Sequence, residues 1–160
     1  NTINEIEKRR TEKFMETFNE LNGYFHQIYE DMSNDGVGNL RLEDANNIDS
    51  GLVIEASPGG KRVLDLDTMS GGEKTMTSLA FLFAIMQHFA SPFYILDEVD
   101  AALDKPNSQK ISNLVKKYSK KVQFIVISHN DITTSQADKV FGVAMEEGTS
   151  KVYGLSLPTR

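Results

Sequence analysis

The sequence has no cysteine and only three histidines among its 160 residues. Without cysteine there can be no disulfide, thiolate nucleophile or Cys-ligated metal, which fits a reducing compartment. Three histidines are a poor basis for a metal cluster. Long apolar runs are missing as well. The longest, Leu79 to Met86, falls far short of the ~20 residues a membrane span requires, and no basic-then-apolar signal pattern opens the chain. A soluble, intracellular protein without a membrane partner is expected. Positive charge is also scarce, with 17 Lys and Arg against 23 Asp and Glu and a net charge of -6. Affinity for nucleic acid rests largely on cations that neutralise phosphates, so the net charge argues against wholesale wrapping of DNA and leaves room only for local patches. Lys116, Lys117, Lys120 and Lys121 form a local patch near the end of an expected helix, where solvation and the helix dipole account for them.

With 39% hydrophobic residues the chain can bury a core, and one globular unit is expected. From Ile3 to about Met32, Phe14, Phe18, Leu21, Phe25 and Ile28 fall four, three, four and three apart, which predicts a helix with one apolar seam. Its first turns carry Glu5, Glu7, Lys8, Arg9 and Arg10. They read as the exposed end of a coiled coil feeding a packed helix, although spacing alone fits a plain amphipathic helix equally. Residues 1–32 are therefore set apart from 33–160.

Ser33 to Gly38 reads as a loop. Leu40 and Leu42 alternate with charged residues, and Gly51 to Ala56, Pro58-Gly59-Gly60 and Arg62 to Leu66 predict a hairpin. After Gly72 a long apolar helix is expected, running to about Phe89. Phe93 to Leu96 and Phe124 to Ile127 are continuous apolar runs, as in buried parallel strands. Between them a helix is expected over about Asn107 to Tyr118, opened by Pro106, so that the three form a βαβ unit. Val140 to Ala144 and Lys151 to Leu157 alternate as closing strands.

The chemistry concentrates at two places. Phe93 to Leu96 delivers Asp97 and Glu98 at a strand end, where the first carboxylate suits nucleotide-bound magnesium and the second is free to polarise water. Alone, this could be a strand leaving for solvent. Ser70, Gly71 and Gly72 open the long helix, offering backbone N–H groups, a hydroxyl and the positive end of the dipole to a phosphate. Alone, Ser-Gly-Gly is also common in flexible loops.

Order and distance change the reading. Met69-Ser70-Gly71-Gly72-Glu73-Lys74, one apolar helix, the strand ending Asp97-Glu98, then Ala101-Ala102-Leu103-Asp104, then a strand ending Ser128-His129 together resemble the ABC-type ATPases over nearly the whole chain. In that family these are the signature motif, the Walker B strand, the D-loop and the switch histidine. Asp97-Glu98-Val99-Asp100-Ala101-Ala102-Leu103-Asp104, with Ser-Gly-Gly-Glu-Lys and the leading helix, resembles the branch of the structural-maintenance-of-chromosomes (SMC) proteins. Two positions depart from the pattern. Met69 stands where Leu is usual, and His129 where many SMC heads have no histidine.

A phosphate-cradling loop needs Gly, four residues, Gly, Lys and Ser or Thr. The one Gly-Lys pair, Gly60-Lys61, is followed by Arg62 and has Glu55 at the first Gly position. In SMC proteins that loop lies in an N-terminal lobe, separated from this one by the coiled coil and hinge. The resemblance thus implies a C-terminal lobe of an ATPase head, an α/β fold with a mostly parallel sheet and flanking helices.

It also implies ATP and Mg2+ as cofactors and a chromosome-associated place in the nucleoid, or in the nucleus of a eukaryote. Asp97 would hold the metal, Glu98 would activate water and His129 would contact the γ-phosphate. Ser70, Gly71 and Gly72 would reach the γ-phosphate held by a second head, and Asp104 would align the half-sites. The implied partners are the N-terminal lobe, a second SMC head in a homodimer, a kleisin subunit and DNA. Alternatives are a kleisin- or DNA-docking module with incidental hydrolysis, to which Val152, Tyr153 and Leu155 could contribute if they do not simply pack in the sheet, and another ABC-type ATPase of DNA repair. A transporter ATPase would need a membrane-coupling surface that the sequence does not offer.

Overall fold

The computed structural model describes residues 2–60 and 62–155, so Lys61 and Leu157 lie outside the described residues. Composition predicts one globular unit, but the chain divides into two compact units, 1–92 and 93–160. Each has its own buried residues.

The first unit is built on helix α1, Thr2–Ser33. Its apolar seam is increasingly covered along the helix. Ile3 and Ile6 are exposed, while Phe25, Ile28, Tyr29 and Met32 are buried. Phe25 meets Phe81 of helix α2, Gly71–His88, edge to face at 6.0 Å. Strands β1, Val37–Leu42, and β2, Leu52–Ser57, pair antiparallel, and β3, Leu64–Asp65, adds a short return antiparallel to β2. The Pro58–Gly60 turn between β2 and β3 places Gly59 at φ 52, in the left-handed region that glycine enters without cost. The expected hairpin therefore forms, with a return strand shorter than Arg62 to Leu66.

Helix α1 docks directly on β1. Asn22 Oδ1 accepts the Leu40 backbone N–H at 2.7 Å, supplying a partner that an edge strand otherwise lacks. Gly38 makes the close approach possible, since a Cβ there would stand 2.8 Å from Tyr29 Cβ and 3.0 Å from Phe25 Cε1.

In the second unit β4, Phe93–Asp97, and β5, Gln123–Ile127, pair in parallel, joined by helix α3, Lys105–Tyr118. The short helix α4, Asp131–Ser135, follows β5. Strands β6, Val140–Glu146, and β7, Thr149–Leu155, close the chain as an antiparallel hairpin. Its two-residue turn has Glu147 and Gly148 both at positive φ, the geometry that matches strand twist.

Two expectations are corrected. The sheet is not mostly parallel: among the described residues three of the four strand pairings are antiparallel and only β4 with β5 is parallel. The reason is connectivity, because only that pair is joined by a crossover helix, while turns and a loop join the others. Nor are the two parallel strands buried throughout. Leu96 is buried and Tyr94, Phe124 and Val126 are half-buried, but Phe93, Ile95, Ile125 and Ile127 are exposed on the other face. Parallel strands normally have both faces covered, and here the described residues cover one.

Candidate functional site

Asp97 is the last residue of β4, opposite Ile127 in the parallel register. Glu98 continues the ladder by one rung, its N–H donating to Ile127 O at 2.8 Å. The chain then turns sharply. Glu98 has φ 48, and its carbonyl accepts the Ala101 N–H at 3.1 Å. A non-glycine residue in this region carries strain of about 1 kcal/mol, and such residues cluster where function needs a particular side-chain direction. Here the direction is toward His129, whose Nε2 lies 3.0 Å from Glu98 Oε1. The His129 side chain is 90% exposed and that of Glu98 50%, so both remain open to an incoming group.

The strain makes a prediction. Glu98→Gly removes it at the cost of a more flexible unfolded chain, and is expected to leave the chain about 0.5 kcal/mol more stable. Thermal unfolding followed by circular dichroism checks this, and a loss above ~1 kcal/mol would mean that Glu98 is not held left-handed.

Asp104 is the N-cap of α3. Its carboxylate accepts the Asn107 N–H at 3.0 Å, with Pro106 in the first turn. Asp100, between Glu98 and Asp104, is buried at 3% exposure and accepts hydrogen bonds from Ser128 and Thr133. Spacing gave no sign of these contacts, which span 28 and 33 residues. The only available signal was a third carboxylate within four residues of Asp97.

In the first unit Ser70 is the N-cap of α2, with its backbone N–H and its hydroxyl both donating to Glu73 Oε2, at 3.2 and 2.7 Å. Gly71 and Gly72 form the first helical positions. Neither has positive φ, and a Cβ added to either would meet nothing within 4 Å. Glycine at a helical position costs up to about 1 kcal/mol against alanine, so the described fold pays for two residues it does not require. Ser70 and Gly71 are exposed.

No group of three His, Cys, Asp or Glu positioned to hold a metal occurs among the described residues. Magnesium does not need one, since it commonly takes one or two carboxylates together with waters and substrate phosphates, a role that exposed Asp97 fits. No helix among the described residues is long and apolar enough to cross a membrane.

The family described as RecF/RecN/SMC N terminal domain matches residues 5–151. The chromosome partition protein Smc of Methanocaldococcus jannaschii is 51% identical over 156 residues, which are 97% of this chain and 13% of that protein. The chain thus spans only a small part of the curated relatives it matches. A crystal structure of the Pyrococcus furiosus Smc head domain with an extended coiled coil, bound to the C-terminal domain of ScpA, superposes with a TM-score of 0.88 at 46% identity, covering 97% of this chain and 39% of that one. A chain solved for the structural biochemistry of ATP-driven dimerization and DNA-stimulated activation of SMC ATPases superposes with a TM-score of 0.86 at 44% identity, covering 91% of this chain and 89% of that one. By sequence along nearly its whole length, and by a fold shared with SMC head domains, the chain belongs to the RecF/RecN/SMC family.

Proposed function

We propose that this chain is the C-terminal half of an SMC ATPase head, acting in chromosome organisation and segregation and completed by an N-terminal lobe that carries the phosphate-cradling loop. The observation that carries this reading is the presentation of Asp97, Glu98 and His129 beyond the carboxyl ends of two parallel strands, where α/β proteins bind ligands. A chain with such a catalytic edge and no Gly-x4-Gly-Lys-Ser/Thr sequence has half of a nucleotide site. The exposed apolar side chains of Ile95, Ile125 and Ile127 support the same reading, since a parallel sheet needs a second covering layer. The matched family is described as an N-terminal domain, but the placement rests on which motifs are present and which is missing. That a solved SMC chain overlaps this one nearly end to end supports a lobe of this extent.

Phosphoryl transfer asks a protein chiefly for positioning and charge stabilisation. Asp97 would hold magnesium directly or through water, and the metal would neutralise charge on the β- and γ-phosphates. Glu98 orients or deprotonates the attacking water, and His129 contacts the γ-phosphate beside it. Asp104, fixed as the cap of α3, aligns the half-sites. Ser70, Gly71 and Gly72 face the γ-phosphate held by a second head. The two glycines, unneeded by their own fold, leave room for that approach. ATP then joins two heads and hydrolysis releases them, so that chemistry drives movement of the attached coiled coils, of which the exposed start of α1 is one end.

A docking role has its own observation. Phe141, Val143, Met145 and Val152 share one exposed face of the β6–β7 hairpin, and Tyr153 and Leu155 are exposed on the other, so sheet packing does not account for them in the described chain. A kleisin subunit suits this surface, as the P. furiosus head is bound to ScpA. DNA is the remaining partner, and association with the chromosome follows from it.

Titrating the lone chain with magnesium and ATP is expected to give almost no heat, while adding the N-terminal lobe restores binding and turnover. Micromolar binding by the lone chain would overturn the half-site assignment.

A further inference from the structure

Asp100 is a buried carboxylate that none of the steps above uses. Its Oδ1 and Oδ2 accept the Ser128 hydroxyl at 2.9 and 2.8 Å, and Oδ2 also accepts the Thr133 hydroxyl. The Ser128 oxygen in turn accepts the Asn130 N–H at 2.9 Å. Asn130 Nδ2 donates to Ser108 Oγ of α3 at 2.9 Å, and Asn130 Oδ1 caps α4 through the Ile132 N–H at 2.9 Å. Both neighbours of His129 are therefore anchored, one to Asp100 and one to α3 and α4. Asp100 itself follows Glu98 by two residues, inside the turn closed by Ala101 N–H on Glu98 O.

Burying a carboxylate is costly unless its oxygens are satisfied, and a fold that needed only a staple could use neutral groups at lower cost. What this carboxylate does is bind two loops at once. It fixes the loop after β5 to the loop after β4, the two loops that carry His129 and Glu98.

We infer that Asp100 is a positioning residue for hydrolysis, holding Ser128 and Thr133 so that His129 stays within hydrogen-bond distance of Glu98. The effect on turnover rests on the ATPase reading proposed above. The effect on the His129–Glu98 contact does not.

The test therefore has two arms. In the head reconstituted with its N-terminal lobe, Asp100→Ala is expected to lower kcat about tenfold with KM for ATP changed less than about twofold, and Asp100→Asn, which keeps the shape and one acceptor, about threefold. Ser128→Ala lowers kcat similarly and Ser128→Thr, which keeps the hydroxyl, recovers most of it. If Asp100 acts through His129, the double variant Asp100→Ala/His129→Ala turns over no more slowly than His129→Ala alone. Losses that multiply in the double variant would overturn the inference. A wild-type head without turnover would instead sink the ATPase reading, and the second arm then decides.

In the lone chain, the His129 ring proton resonances are expected to shift on Glu98→Gln, to lose that response when Asp100 is Ala, and to keep only part of it when Asp100 is Asn. An unchanged response in Asp100→Asn, or no response in the wild-type background, would overturn the positioning role whatever the turnover. Asp100→Asn and Ser128→Ala carry both arms should Asp100→Ala fail to fold.

Discussion

In the head completed by its N-terminal lobe, Glu98→Gln is expected to lower ATP turnover about 10²–10³-fold and to leave nucleotide binding nearly unchanged, the range expected when a positioned general base is lost. Glutamine keeps the length of the side chain and an oxygen that can accept from His129, but it cannot take a proton from water. The Glu98 side chain is half-exposed at a strand end and supports no core, so the fold should melt as before. Single-turnover kinetics separate the steps. ATP should bind and persist, and heads that pair on ATP should stay paired, because the event that parts them has been removed. A fall in kcat without a matching change in KM identifies an interaction made in the transition state. Turnover at the wild-type rate would mean that another group activates the water, and the strained turn at Glu98 would then need a different explanation.

What could be read from the sequence followed from local physics. The four-three spacing of Phe14, Phe18, Leu21, Phe25 and Ile28 predicts α1, which runs over Thr2–Ser33. The apolar runs Phe93 to Leu96 and Phe124 to Ile127 predict a βαβ unit with the helix between them, and β4, α3 and β5 form it in parallel register. The expectation of a mostly parallel sheet failed because direction depends on connections rather than strand composition, although the β2–β3 hairpin was expected and forms. Between β1 and β2, Asp44 accepts the Asn46 N–H at 2.9 Å and Asn47 accepts the Asp49 N–H at 3.0 Å, and these Asx turns fold the loop back so that β2 returns antiparallel. Burial was misread for the complementary reason. A run such as Phe93 to Leu96 says that a strand wants both faces covered, but not whether its own chain supplies the cover. Asp97 and Glu98 were marked by the apolar run before them and His129 by the order of motifs alone, and the parallel pairing of β4 with β5 brings the three to one edge. The Asp100 network was not legible, because Ser128 and Thr133 lie 28 and 33 residues away and no periodicity marks such contacts.

Replacing Ser70 by arginine is expected to abolish ATP-dependent pairing of heads while leaving ATP binding to each head's own N-terminal lobe intact. Ser70 precedes two helical glycines whose missing side chains relieve no clash and permit no unusual backbone within this chain. What they provide is a helix N-terminus open to close approach, with Ser70 and Gly71 exposed, where a phosphate of another head would be held by backbone donors and by the dipole. Arginine fills that space with a side chain several ångströms long. It also removes the serine hydroxyl from Glu73 and puts a cation at the positive end of α2, so some loss of stability, on the order of 1 kcal/mol, accompanies the change. That loss is the whole effect if Ser70 is only a cap. The two roles separate when reconstituted heads in the slow Glu98→Gln background are mixed with ATP and sized by chromatography with light scattering, with melting temperature measured in parallel. Gly71→Ala is a second probe of opposite sign, because alanine suits a first-turn position better than glycine, and it should melt no lower than wild type while pairing more weakly. An ATP-induced dimer of undiminished affinity in both variants would show that the second head's phosphate does not meet the start of α2. Ordinary melting together with lost pairing is the result that places Ser70 and Gly71 at a contact between heads.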